Sequence, residues 1–126
     1  EQLQHSVDLS PVTTNIEQIY KDASILVMSS RYEGFGMVLL EAQTVGLPTI
    51  SFDCKCGPSE IIVNGENGYL IKVGDIEGMA QKILQLIENE ALRKRMGENA
   101  YNNALRFSED VVMSKWERLF KEVVYG

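Results

Sequence analysis

Residues 25–41 read ILVMSSRYEGFGMVLLE, and this stretch decides the fold. Positions 25–28 form a short continuous apolar run, the pattern of a parallel strand buried on both faces. Residues 29–36 are polar and carry Gly34 and Gly36, so the chain turns there. From Met37 the apolar spacing becomes helical, with Val38, Leu39, Ala42 and Val45 on one face at about 100° per residue. Gly46 and Pro48 end that helix. Glu33 lies in the turn, and Glu41 falls at the edge of the helix's core face. Both carboxylates can therefore face one crevice at the carboxyl end of a parallel strand, where open α/β sheets bind ligands.

Working outward, a strand is expected around His5, Val7 and Leu9. A loop follows at 11–14, and then a short amphipathic helix capped by Asn15, with Ile16, Ile19, Tyr20 and Ala23. Downstream, 49–52 is the next strand and 53–58 the loop at its carboxyl end. Pro58 opens a short helix over 58–62. Two Asn-Gly turns precede a strand at 69–73. Three helices close the chain. Asp75 caps the first, whose stripe is Met79, Ala80, Ile83, Leu84 and Ile87. The second carries Leu92, Met96, Ala100, Tyr101 and Ala104. Ser108 caps the third, with Glu109 and Asp110 in its first turn and Val112, Trp116, Leu119, Phe120 and Val123 as its stripe. These stripes, Trp116 and the methionines included, are read as core. Strands alternating with helices make the fold α/β, a Rossmann-like parallel sheet.

The 126 residues suit one domain or part of one, and 44% apolar with 24% charged residues is ordinary for a globular chain. A net charge of −6 disfavours nucleic acid, whose binding is driven by cationic contacts to phosphate. No apolar run approaches the roughly 20 residues of a membrane span. The first residue is not Met and no signal peptide is evident, so an excised fragment is expected. Cys54 and Cys56 are too close in sequence for an unstrained disulfide and lack partners for a zinc site. They suit a reduced, cytosolic protein, in which both are expected to be partly exposed. His5 is given no role.

The amides of Phe35, Gly36, Met37 and Val38 lie at a helix start, without intrahelical acceptors and at the positive end of the dipole. A phosphate is a natural guest there. Gly34 and Gly36 let a ligand approach the backbone. Exposed carboxylates suit sugar or ribose hydroxyls, which donate to them strongly. Amides for phosphate and acids for hydroxyls together suggest a nucleotide sugar. Taken alone, a bare pair of acids is more often solvated surface.

Glu33, Gly34, Phe35 and Gly36, with Glu41, Ala42, Gly46, Leu47 and Pro48, resemble the E-x7-E signature of retaining GT-B glycosyltransferases, group 1 or family 4. The similarity extends to Asn15, Ile16, Ala23, Ser29, Ser30, residues 57–62, Asn67, Gly68, Phe107 and Ser108. The resemblance implies the C-terminal, donor-binding half of a GT-B fold. Residues 1–126 would be a partial nucleotide-sugar-binding domain, lacking upstream strands and the amino-terminal acceptor domain. Glu33 would contact donor-sugar hydroxyls as the catalytic-site acid, and Glu41 would hold the ribose. Amides from Phe35 to Val38, beside Gly34, would meet the sugar and diphosphate. No metal or cofactor is implied beyond the donor, expected to be UDP-linked. The implied activity is hexosyl or N-acetylhexosaminyl transfer, with retention, to a glycan or lipid-linked acceptor in bacterial O-antigen or capsule synthesis. It would take place in the cytoplasm or peripherally at the inner face of the plasma membrane.

One departure stands out. The family's basic pair for the diphosphate has no match, since Arg31 and Lys55 sit elsewhere. The chain alone is therefore expected to fold but not to transfer sugar. Glu60 either lines the cleft or serves as a capping or solvated residue. Two other readings compete. One is a non-enzymatic α/β interaction or signalling module, and the other is sugar-phosphate isomerisation on the related epimerase fold.

Overall fold

The computed structural model describes residues 3–126. The elements run α1 (Ile16–Asp22), β1 (Leu26–Met28), α2 (Met37–Thr44), β2 (Thr49–Phe52), α3 (Pro58–Ile61), β3 (Gly68–Ile71), α4 (Ile76–Glu88) and α5 (Glu90–Ala104). A 3-10 turn (Leu105–Phe107) and α6 (Glu109–Tyr125) follow. The three strands form a parallel sheet in the order β1-β2-β3. Leu26 stands opposite Thr49, and Thr49 opposite Gly68. Because all strands point one way, the turns after β1, β2 and β3 gather at one end of the sheet.

β2 is central and every residue in it is buried. Alternation sends Ile50 and Phe52 to one face and Thr49 and Ser51 to the other. On the first face Ile50, Phe52, Tyr69 and Ile71 pack with Met79 and Leu86 of α4 and Met96 of α5. On the second, Met28 packs with Leu39 of α2 and with Ile61 and Ile62, while Leu26, Phe35, Leu70 and Phe107 add to the cluster. The polar atoms of β2 are satisfied. Gln43 Nε2 donates to Thr49 Oγ1 at 3.2 Å, and the Ser51 hydroxyl donates to the Phe52 carbonyl. A third cluster joins α1 to α2 through Tyr20, Ala42 and Leu47.

Several expectations need correction. Residues 5–9 form no strand. Leu3 to Ser6 make a turn closed by a Ser6 amide to Leu3 carbonyl bond, and Val7 and Leu9 are exposed. A lone extended segment gains little without a ladder partner. β1 is an edge strand with Val27 40% exposed, so it is not buried on both faces. β3 ends at Ile71, and Lys72 and Val73 belong to the following turn. Asn15 and Ser108 stand at helix starts but make no side-chain cap. The Asn15 amide instead donates to Thr13 Oγ1. Ile16, Ile19 and Ala23 are exposed, leaving Tyr20 as the buried residue of α1. In α4 the buried residues are Met79 and Leu86, whereas Ala80, Leu84 and Ile87 are exposed, and so is Tyr101 of α5. Asp75 does cap α4, accepting from the Gly78 amide at 2.9 Å.

The largest correction concerns α6. It buries no residue, and Trp116, Leu119, Phe120 and Val123 are all exposed. The clusters on the two faces of the sheet are built from the strands and α2 to α5 with Phe107, and no residue of α6 joins either of them. Trp116 and Phe120 lie tilted against each other at 5.6 Å between ring centroids. Among the described residues no helix is long and apolar enough to cross a membrane.

Candidate functional site

Residues 29–36 sit at the carboxyl end of β1, and Gly36 closes them with φ +86 as the residue capping α2. That left-handed conformation suits glycine, which then has no side chain to offer the helix start. The Leu39 amide is taken by the Gly36 carbonyl at 2.9 Å. Among the described residues no side chain caps α2, and the amides of Met37 and Val38 have no acceptor. Met37 and Val38 are themselves exposed, so these donors lie at an open surface. At Gly34 a methyl group would meet nothing within 4 Å, which leaves the backbone accessible.

Two contacts fix this turn. Phe35 packs edge-on against Phe107, with ring centroids 5.8 Å apart. Its carbonyl lies against Gly57 in the turn after β2, where φ is +107 and a Cβ would fall 2.0 Å from the Phe35 oxygen. The turns after β1 and β2 thus touch backbone to backbone. Neither contact is legible in residues 25–41, because both partners lie far along the chain.

Glu33 is half-buried in the turn. Glu41 is exposed, one helical turn into α2, and its Oε2 accepts from the Tyr20 hydroxyl at 3.2 Å. Burial, then the charge of Glu41 and the bond to it, push the Tyr20 phenol above its ordinary value. The structure therefore brings Glu41 to Tyr20 of α1. A tyrosine in an amphipathic stripe needs a partner when buried, a signal that marks Tyr20 but does not name Glu41. Neither acid lines the cavity beside this turn, nor those bordered by Gly46, Leu40 and Pro48. One cavity, of about 370 Å³, does lie beside the turn, between Ser29, Arg31 and Phe52 on one side and Gly74, Ile76 and Met79 on the other. That is at the small end of the range for ligand pockets. It gathers Arg31 but not Lys55, which is exposed on the next turn.

The position of α2 is set from behind by a buried polar network. Gln43, fully buried, donates to Thr49 and accepts from Asn103 Nδ2 at 2.9 Å, and the same Asn103 amide donates to the Ile61 carbonyl at 2.7 Å. Glu60 is exposed in the first turn of α3, where its backbone carbonyl accepts from Arg106. Cys54 is buried, contrary to expectation, and Cys56 is exposed with φ 61; both are free thiols. No group of three His, Cys, Asp or Glu among the described residues could hold a metal ion.

Comparison with known proteins adds an independent line. The family model described as glycosyl transferases group 1 matches residues 1–103. The chain is 38% identical over 123 residues to an exopolysaccharide phosphotransferase of Streptomyces coelicolor, covering 97% of this chain and 13% of that protein. It is 38% identical over 119 residues to the poly(ribitol-phosphate) alpha-N-acetylglucosaminyltransferase of Staphylococcus aureus, covering 94% of this chain and 24% of that one. Among solved structures, a Staphylococcus aureus TarM mutant in complex with Fondaparinux, alpha-GlcNAc-glycerol and UDP superimposes with a TM-score of 0.88. The identity is 38%, over 94% of this chain and 24% of that one. The chain thus spans a quarter or less of the length of these relatives.

Proposed function

On the premise that this chain belongs to the family of glycosyl transferases group 1, we propose that it is the donor-binding part of a retaining GT-B glycosyltransferase. One observation carries the reading. An uncapped, solvent-open helix start stands at the carboxyl end of a parallel sheet, with Glu33 before it and Glu41 one turn into it. Amides with no other acceptor hold an anion, and carboxylates take hydroxyls. A nucleoside diphosphate sugar presents both.

In this reading the Met37 and Val38 amides, with Phe35 and Gly36, take up charge on the diphosphate as it leaves, an electrostatic term that often dominates catalysis. Gly34 lets the sugar lie against the backbone. Glu33 binds sugar hydroxyls near the reacting carbon, and Glu41 binds the ribose. No metal or cofactor is required of these residues. Residues 1–126 are part of the carboxyl-terminal nucleotide-sugar domain, and an amino-terminal domain supplies the glycan or lipid-linked acceptor. The UDP bound in the TarM structure supports a UDP-linked donor, and the surface-polymer names of the relatives support a role in bacterial surface-polymer synthesis. The family membership is also the reason to prefer this reading to a non-enzymatic module.

Saturation-transfer NMR with UDP-, GDP- and ADP-sugars on the full-length protein carrying this sequence tests the reading. UDP-sugar should give the signal. Glu41→Ala should raise donor KM, while Glu33→Ala should mainly lower kcat, because ribose contacts serve ground and transition states alike. No signal from any nucleotide sugar would refute donor binding. Equal effects of both variants on both constants would refute the division of roles.

A further inference from the structure

We propose that Tyr20 is a positioning residue for Glu41, its hydroxyl fixing one carboxylate oxygen so that the other is presented to the vicinal hydroxyls of a ribose. The proposal rests on the reading of Glu41 as a donor contact and goes beyond it, because Tyr20 lies on a different element, α1.

Placement carries the argument. Tyr20 is 6% exposed, packed in a cluster with Ala42, Leu47, Leu26 and Val45. Its position is therefore fixed by the same residues that seat α2. From there its hydroxyl reaches Glu41 Oε2 at 3.2 Å. Glu41 itself is exposed, and its other oxygen has no partner among the described residues. A glutamate on an open helix surface samples several rotamers and must give that freedom up when a ligand binds. A phenol anchored by packing offers a hydrogen at one place, so the carboxylate is ordered before the ligand arrives. The uncommitted oxygen can then accept from hydroxyl groups. Burial and the charge of Glu41 both keep the phenol protonated, so it remains a donor at neutral pH. Tyr20 has no need to touch the ligand in this role. The bond is longer than usual for O–H···O, so the effect is modest.

The test uses UDP as probe, titrated calorimetrically into the full-length protein carrying this sequence and into Tyr20→Phe, Glu41→Ala and the double variant. Each protein is also melted, and KM and kcat are measured with UDP-sugar. Tyr20→Phe should weaken UDP binding and raise donor KM by roughly three- to tenfold, leave kcat unchanged and add nothing once Glu41 is gone. Wild-type affinity in Tyr20→Phe, or the same loss in both backgrounds, overturns the proposal. So does a Tyr20→Phe protein that fails to fold, or one that loses kcat along with melting temperature, since either assigns the hydroxyl to stability. Wild-type UDP affinity in Glu41→Ala overturns the donor reading of Glu41 as well. A loss in Glu41→Ala with none in Tyr20→Phe overturns the role of Tyr20 alone.

Discussion

Replacing Gly57 with alanine tests the contact on which the proposed donor turn rests. Gly57 has φ +107 and ψ −72, and a Cβ there would lie 2.0 Å from the Phe35 carbonyl oxygen and 2.4 Å from its carbon. Those are backbone atoms, and no rotamer change moves them out of the way. Phe35 is also held from behind by Phe107. Restoring an ordinary contact requires roughly 1.5 Å of backbone displacement. The conformation itself costs an L-residue about 1–3 kcal/mol, and overpacking adds about 1–3 kcal/mol, so the expected loss is about 2–6 kcal/mol. That is a large share of the 5–15 kcal/mol, roughly, that holds a domain folded. Gly65→Ala is the control. Its φ is +85, but nothing lies within 4 Å of the added carbon, so it should lose only about 1–2 kcal/mol. Urea unfolding followed by circular dichroism measures both losses. If Gly57→Ala folds, the displaced Phe35 and Gly36 amides should lower turnover, by as much as about 100-fold for a 1 Å misplacement. A Gly57→Ala protein no less stable than Gly65→Ala, with normal turnover, would show that the two turns do not press on one another.

Two further outcomes are expected. Gln43→Leu removes the acceptor of Asn103 and the donor to Thr49 inside the core, and should cost about 1–3 kcal/mol in urea unfolding; a loss below about 0.5 kcal/mol would refute the network's role. Because the folded Tyr20 phenol titrates above its ordinary value of 10.0, its contribution is fully present below that pH and is lost as pH rises through the folded value. The stability difference between wild type and Tyr20→Phe should therefore be level from about pH 6 to 9 and shrink above 10; a difference that grows there would contradict the direction.

Local signals in the sequence were sufficient where local chemistry decides the structure. Residues 49–52 and the start at Pro58 are legible because a leading β-branched pair, Thr49 and Ile50, and a helix-opening proline act on their own neighbours. The end of α2 is legible from Gly46 and Pro48, and the Asp75 cap from its place just before the stripe of α4. What failed depends on partners elsewhere. Val7 alternates like a strand residue, yet no ladder reaches it. Trp116 and Phe120 repeat like core residues, but periodicity names a face without saying what covers it. In the site, the glycine turn and both acids were readable from spacing. The contacts that hold them were not, since Phe107, Gly57, Tyr20 and Asn103 reach the site only through the tertiary fold.

The Phe35–Phe107 contact also bears on the order in which the protein matures on the ribosome. The turn at 29–36 is made early, but one of its two braces lies beyond α5. At about 5–20 residues per second, several seconds separate synthesis of Phe35 from that of Phe107. During that interval β1 and β2 can pair while the turn between β1 and α2 still lacks one of its supports. A nascent chain arrested before the 3-10 turn should hold a formed sheet and a mobile 29–36 segment, so that the proposed donor site is among the last parts to set.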